Sequence, residues 1–207
     1  LLAETLAKVE DWLALHALLS QPTVVSALKP DRRQALAASA ACGLLNTAAE
    51  AGRLEQLKAR WDLSAPWRGD ARVRRAYVRG LLALNAHTDA AAHIAQGLRE
   101  GWDGELALLH AELLPTDETA HLAAIEQWFG EFGVKPELLW IAARACQRAR
   151  LWGRARAHLD HLLRVQPTPA VHRELARLCE ATHNPDEAAR FYQSGLELAL
   201  SRSTVVE

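Results

Sequence analysis

The sequence lacks several patterns on which common enzyme classes depend. It contains no glycine-rich loop of the kind that cradles phosphate groups, no HExxH zinc motif and no GxSxG nucleophile turn. Each of these motifs holds reactive or ligand-binding groups at a fixed spacing, so their absence argues against the enzyme classes that use them. We therefore predict that the protein is not an enzyme and has no catalytic residue.

Cysteine is scarce and shows no pairing pattern. Cys42, Cys146 and Cys179 form no CxxC motif, and an odd number cannot all pair within one molecule. This usage fits a reducing compartment better than a disulfide framework. No stretch has the features of a signal peptide or a membrane-spanning helix. The sequence opens within a helical pattern and has no methionine, so we expect it to be part of a longer protein.

Charge is nearly balanced overall but unevenly distributed along the sequence. The formal net charge of −1 argues against nucleic-acid binding, because neutralising phosphates requires a basic surface. Residues 100–135 carry eight acids against one lysine, whereas residues 136–182 carry eight arginines against four acids. A surface patterned in this way suits the binding of partner proteins.

Helix signals come in pairs separated by short polar turns. No run of β-branched residues is long enough for a strand, the short "PTVVS" at residues 22–26 included. Pro30-Asp31 and Asn184-Pro185 each place a proline at the first helical position. Three polar residues are expected to cap helices that follow them: Asp70, Thr88 and Thr116. The sequence thus predicts an all-α fold of about eleven helices.

One segment of the sequence recurs at a 33-residue offset. "PELLWIAARACQRARLWGRARAHLDHLLRVQ" from Pro136 aligns with "PAVHRELARLCEATHNPDEAARFYQSGLELA" from Pro169, and each copy has the pattern of helix, turn, helix. Small residues align where two antiparallel helices must approach closely: Ala143 with Ala176, Cys146 with Cys179, and Ala155 with Ala188. A weaker copy, "VRRAYVRGLLALNAHTDAAAHIAQGL", precedes them, and a degenerate unit with a short first helix lies between. The first sixty residues carry no clear copy.

A period of about 34 residues with this scheme of small and large side chains resembles the tetratricopeptide repeat. The resemblance implies an all-α, right-handed superhelix, or solenoid, of antiparallel helix pairs. We predict one continuous solenoid domain over residues 70–207, with repeats at about 70–102, 103–135, 136–168 and 169–201. Residues 1–69 are predicted to form an N-terminal helical cap or degenerate repeats.

A narrower resemblance covers most of the sequence, most strongly Trp61 to Leu200. "AYVRGLLALNAHTDAAAHIAQGLREGWDGELALLHAEL" and "RLWGRARAHLDHLL" resemble the C-terminal domain of the HemY family, proteobacterial inner-membrane proteins associated with haem biosynthesis. The resemblance implies a scaffold for the late, membrane-associated enzymes of protohaem synthesis or their intermediates. It also implies a location at the cytosolic face of the bacterial inner membrane, through two N-terminal helices absent from this sequence. The alternative is a generic adaptor for acidic peptides or C-termini, unrelated to haem.

Arginines recur at equivalent places in the first helix of several repeats. In tetratricopeptide arrays this face lines a concave groove, where guanidinium groups recognise carboxylates through paired hydrogen bonds. The predicted groove residues are Arg75, Arg79, Trp140, Arg144, Arg148, Arg173 and Arg177. Candidate ligands are an acidic peptide, the C-terminus of a protein or the propionates of a porphyrin. The same pattern also fits a solvated helix face, since arginine is a common surface helix former.

Two further patterns bear on metals and cofactors. His158 and His161 lie three residues apart on one predicted helix, a spacing that suits two metal ligands. It equally fits an exposed polar face, and we predict no metal site. Cys146 and Cys179 occupy matching core positions, so we expect buried apolar side chains rather than haem ligands. No cofactor is predicted, although direct haem or porphyrin binding stays open.

Overall fold

The computed structural model describes residues 2–21, 23–24 and 28–203. Within these residues the protein is all-helical and has no β-strand, as predicted. Most of the segment at residues 22–26 lies outside them. The part of the chain that the structure describes contains twelve bounded α-helices: α1 (Leu2–Lys8), α2 (Trp12–Leu19), α3 (Pro30–Glu50), α4 (Leu54–Leu63), α5 (Ala71–Ala83), α6 (His87–Glu100), α7 (Gly104–Leu109), α8 (Glu118–Phe132), α9 (Pro136–Arg148), α10 (Trp152–Val165), α11 (Pro169–Ala181) and α12 (Pro185–Ser203). Short 3-10 turns follow α4 and α7 at Ala65–Trp67 and His110–Glu112.

Proline and aspartate set most of the helix starts. Proline is the first residue of α3, α9, α11 and α12, where its fixed φ suits the helix and its missing N–H is not needed. Asp70 caps α5 as predicted, and its Oδ1 accepts a 2.9 Å hydrogen bond from the backbone N–H of Arg72. The predicted cap at Thr88 is wrong, because α6 already begins at His87. The predicted cap at Thr116 is also wrong, because Asp117 accepts from two backbone N–H groups of α8.

The same kind of turn joins the two helices of several pairs. Its central residue has a positive φ and is Glu10, Gly52, Asn85, Arg150 or His183. In each turn the next residue's N–H reaches back to the carbonyl oxygen five residues earlier, at 2.8 to 3.4 Å. This is the Schellman geometry that ends helices. The turns at Gly52 and Asn85 have the same 33-residue offset as those at Arg150 and His183, so the α3–α4 pair has the repeat spacing although its sequence carries no clear copy.

The protein divides into two compact units, Leu1–Leu114 and Pro115–Glu207. In the first unit, α1, α2 and α3 share an apolar cluster around Leu15, Leu19 and Leu36. Further along, Trp61 of α4 stacks on Tyr77 of α5, with ring centroids 4.4 Å apart and the planes 8° from parallel. Aliphatic and aromatic side chains therefore hold the helix pairs of this unit together.

In the second unit, α9, α10 and α11 enclose a common core that includes Leu139, Leu159 and Leu175. The four alanines that the repeat alignment placed at close helix contacts are all buried: Ala143, Ala155, Ala176 and Ala188. Cys146 and Cys179 are buried as expected. Small side chains thus lie where the alignment requires close packing of helices. No described helix has both the length and the apolar character needed to cross a membrane.

Candidate partner-binding site

Three arginines of the second unit surround one buried carboxylate. Arg177 Nη1 donates a 3.1 Å hydrogen bond to Oε1 of Glu174, its neighbour one turn earlier on α11. Arg144 Nη1, from α9, lies 3.6 Å from the same oxygen, and Arg173 Nη2 lies 3.9 Å from it. The Glu174 side chain is 4% exposed, whereas 40 to 55% of each arginine side chain is exposed. We call this set the Glu174 cluster.

The position of Glu174 follows from the amphipathic pattern of α11. Val171, Leu175 and Leu178 form the apolar face that packs into the core of the second unit. Glu174 lies beside them and is buried. A buried carboxylate is unfavourable without compensating positive charge. The arginines of the cluster supply that charge at the protein surface.

A shallow groove of about 320 Å³ opens beside the cluster. Glu174, two of the cluster arginines and four further residues from α9, α10 and α11 contribute to its walls: Arg144, Arg177, Gln147, Trp152, Leu178 and Ala181. Three guanidinium groups face one carboxylate in the cluster, so positive charge exceeds negative charge by two. Because only Arg177 is close enough to Glu174 for a hydrogen bond, the cluster arginines keep donor capacity for an acidic ligand.

Arg148 also lines this groove, but its charge is balanced locally. Its Nε donates to Glu118 Oε1 at 3.3 Å, and its Nη2 donates to His121 Nε2 at 2.9 Å. Burial and, after it, the nearby positive charge of Arg148 lower the pKa of His121 to about 4, against a smaller raising effect of the Glu118 carboxylate. Arg148 thus links α9 to α8 and adds little net charge to the groove.

Trp140 is half-buried and packs against the core of the second unit, as do Trp152 and Phe191. It was predicted as a groove residue because it aligns with Arg173. The residues that line the groove come instead from the last turns of α9 and α11 and from Trp152 of α10. Trp140 therefore contributes apolar packing in the described structure.

The two predicted residues of the first unit have acidic partners of their own. Arg75 Nη1 lies 2.8 Å from Glu105 and 3.3 Å from Asp103, and its side chain is only 16% exposed. Arg79 is more exposed and lies 4.0 Å from Glu105. Asp103 also caps α7, since it accepts from the backbone N–H of Leu106. The charge of these arginines is thus compensated within the first unit.

The structure therefore brings Arg144, Arg148, Arg173 and Arg177 together in the second unit. Arg75 and Arg79 lie together on α5 in the first unit. The expectation that both sets share one continuous groove stays a prediction.

Sequence reasoning missed Glu174, the centre of the cluster. The 33-residue alignment pairs Glu174 with Ile141, which is fully buried. An acid at a position that is apolar in the preceding repeat is a detectable signal for a buried, compensated charge. The sequence therefore contained the information that this position is unusual.

Five of the eight acids at residues 100–135 form ion pairs with arginines of their own unit. Ion pairs join Glu100 to Arg74 and Glu126 to Arg154, in addition to those of Asp103, Glu105 and Glu118. The alternation of an acidic and a basic stretch in the sequence had suggested a surface suited to partner proteins. The ion pairs favour a structural role for these acids, in contrast to the excess positive charge of the Glu174 cluster.

The histidine pair is not an exposed polar face. His158 is half-buried and stacks on Phe129 with ring centroids 5.8 Å apart, and burial lowers the pKa of its imidazole. Burial raises the pKa of the Cys146 and Cys179 thiols. Among the residues that the structure describes, no group of three or more His, Cys, Asp or Glu side chains is arranged to hold a metal ion.

Comparisons with protein-family models, with curated proteins and with solved structures found no match. The resemblance to the HemY family therefore rests on the sequence motifs alone.

Proposed function

We propose that the protein is a non-enzymatic binding module, a tetratricopeptide-like superhelix whose arginines bind the acidic residues of a partner protein. Helix pairs with the same turn at a 33-residue spacing support the repeat assignment. Such arrays act mainly as extended binding surfaces.

The observation that carries the proposal is the Glu174 cluster, where three guanidinium groups meet one carboxylate. Guanidinium groups bind carboxylates through short, charge-assisted hydrogen bonds. The groove volume of about 320 Å³ is at the lower end of ligand pockets. This size favours the side chains or the end of a peptide over an enclosed tetrapyrrole.

We further propose the HemY-like setting for this module: a scaffold at the cytosolic face of the bacterial inner membrane that organises late protohaem-synthesis enzymes or their intermediates. An N-terminal anchor outside the present sequence would attach it to the membrane. The sequence motifs between Trp61 and Leu200 support this setting, and no feature of the groove is specific to haem.

Capture from native membranes tests both parts of the proposal. The protein would be crosslinked in the membranes of its own organism and purified, and late haem-pathway enzymes would be quantified by mass spectrometry. The double variant Arg144→Ala, Arg177→Ala should lose at least tenfold of the captured enzyme, because each charge-assisted hydrogen bond contributes about 1.5–3 kcal/mol. Arg164→Ala is the matched control, since Arg164 is an exposed arginine of α10 that does not line the groove.

Capture of no haem-pathway enzyme, together with unchanged porphyrin intermediates in a deletion strain, would overturn the HemY-like setting. The generic adaptor for acidic peptides would then remain, because the Glu174 cluster can recognise a carboxylate whatever protein carries it. If the double variant captured as much enzyme as the native protein, the groove would not be the binding site.

A further inference from the structure

The outer face of α12 is apolar and exposed. Tyr192, Leu196 and Leu200 lie four residues apart on this helix, and each of them is at least 40% exposed. Residues at this spacing lie one above another on a single side of a helix, so the three side chains form a continuous stripe. We call them the α12 stripe. An exposed apolar face is unusual here, because repeat arrays normally present a polar face where their stacking ends.

The preceding repeat shows the structural role of this face. At the 33-residue offset Tyr192 aligns with Leu159. At the same offset Leu196 aligns with Leu163. Both leucines lie on α10 and pack in the core that α10 shares with α11 of the following repeat. Leu159 is buried, whereas the aligned Tyr192 is exposed. The α12 stripe therefore corresponds to the face on which one repeat stacks upon the next, and a further helix would cover it.

Two charged residues along one edge of the α12 stripe indicate which helix fits. Arg190 and Glu197 are both exposed and lie seven residues apart, which is two turns and about 10 Å along the helix. Glu197 Oε1 accepts a 2.9 Å hydrogen bond from Nε2 of Gln193, which lies beside the stripe. In an antiparallel pair of identical helices, this edge faces the same edge of the second copy. Each Arg190 would then lie opposite Glu197 of the other copy. A parallel copy would instead put the two edges on opposite sides of the pair.

We infer that the α12 stripe is a dimer interface, on which α12 of a second copy of this chain packs antiparallel about a twofold axis near the middle of the helix. Such an interface is self-complementary, because the twofold axis makes each contact occur twice. Tyr192 of each copy would pack against Leu196 of the other, and two ion pairs between Arg190 and Glu197 would close one edge. The inference goes beyond the proposed function: a dimer would carry two Glu174 clusters and would bind two acidic segments at once.

Sedimentation equilibrium of the whole protein tests for the dimer. A single helix pair buries a small area, so we expect a weak dimer with a Kd on the order of 10 µM. The average mass should rise from that of one copy, 22.8 kDa, towards twice that value between about 1 and 200 µM protein. Leu196→Lys places a charge in the stripe and should weaken the dimer roughly tenfold or more. Val165→Lys is the matched control, because Val165 is an exposed apolar residue of α10 outside the stripe. Circular dichroism checks that both variants are folded.

Charge exchange tests the antiparallel orientation. Arg190→Glu and Glu197→Arg each replace the two opposite-charge pairs of the dimer by two like-charge pairs. Each variant alone should therefore dimerise roughly tenfold more weakly at low salt. An equimolar mixture of the two variants should recover dimerisation, because one then carries acids and the other arginines at both positions. The double variant should recover it as well. Arg164→Glu is the matched control for the change of charge, since Arg164 is an exposed arginine of α10.

Three results would overturn the inference. The first is a mass of one copy at every concentration, which would mean that another helix or another protein covers the stripe. The second is a dimer that is as tight in Leu196→Lys as in Val165→Lys, which would place the interface on a different surface. The third is a mixture of Arg190→Glu and Glu197→Arg that dimerises no better than either variant alone, which would exclude the antiparallel pairing. None of these results bears on partner capture by the Glu174 cluster.

Discussion

Arg177 donates a 3.1 Å hydrogen bond to Glu174, although the carboxylate is buried and the guanidinium group is more than half exposed. The two residues lie one turn apart on α11, so the helix itself fixes their distance. The Glu174 carboxylate lies at the edge of the core, and the Arg177 guanidinium group lies at the surface. Arg144 of α9 also approaches this carboxylate. This arrangement links the packing of two repeats to the chemistry of the groove.

Replacing Glu174 by Ile, the residue at the aligned position of the preceding repeat, should change the free energy of unfolding by less than about 1 kcal/mol. An apolar side chain suits a site beside Leu175 and Leu178, and the arginines left behind are solvated rather than buried. Urea denaturation measures the change, with Glu174→Ala as the comparison that leaves a cavity. A loss above about 3 kcal/mol would mean that the fold itself depends on the carboxylate.

The helix pairs of the second unit could be predicted from the sequence because local periodicity encodes them. Alanines and leucines at helical spacing, a proline at each first helix and a 33-residue offset together specify which faces meet. The burial of Ala143, Ala155, Ala176 and Ala188 confirms that part of the prediction. The ends of helices were less predictable, because Asp117 competes with Thr116 for the same cap and the pattern does not rank them.

Which arginines are compensated by acidic partners could not be predicted in the same way. Asp103 and Glu105 compensate Arg75 from beyond the intervening helix α6, and this pairing depends on where the short helix α7 packs. A column of aligned arginines therefore looked uniform in sequence. The structure divides it into compensated residues on α5 and an under-compensated cluster around Glu174.

The repeated turn predicts opposite effects for two substitutions. Arg150 holds a φ of 56° that a non-glycine side chain adopts at a cost, so Arg150→Gly should raise the free energy of unfolding by about 1 kcal/mol. Gly52 has a φ of 69° at the equivalent turn, so Gly52→Ala should lower the free energy of unfolding by about 1 kcal/mol. Thermal denaturation measures both changes.

Gly101 supplies the control for the turn prediction. Its backbone is extended and no atom lies within 4 Å of where a Cβ would stand, so Gly101→Ala should have little effect. If Arg150→Gly destabilised the protein, the arginine side chain would contribute more than its backbone strain costs.

Because α10 packs closely against its partner helix, a larger side chain on its buried side should destabilise the protein more than one on its exposed side. Ala155 is fully buried among Leu139, Ala143 and Leu159, so Ala155→Leu should overpack the core and cost about 1–3 kcal/mol. Ala157 lies two residues away on the exposed side of the same helix, and Ala157→Leu should change stability by less than about 0.5 kcal/mol. Equal effects of the two substitutions in urea denaturation would contradict the packing register.

The buried imidazole of His121 predicts a pH dependence of stability. Burial and the neighbouring Arg148 lower its pKa in the folded state to about 4, against an ordinary value of 6.5. The folded protein therefore favours the neutral ring. Its contribution to stability is fully present above the unfolded pKa and is lost as the pH falls from about 6.5 towards 4. Linkage gives a loss of roughly 2 kcal/mol between pH 7 and pH 5.

His121→Gln isolates this contribution, because glutamine does not titrate and can still accept a hydrogen bond from Arg148. Burial also lowers the pKa of His93, His158 and His172, so the native protein should lose further stability on acidification. The informative quantity is the difference between the native protein and the variant in urea denaturation at pH 7 and pH 5. On acidification the variant should lose about 2 kcal/mol less than the native protein. If both lost the same amount, His121 would be protonated at its ordinary pKa in the folded state. The hydrogen bond from Arg148 to its Nε2 would then not persist in solution.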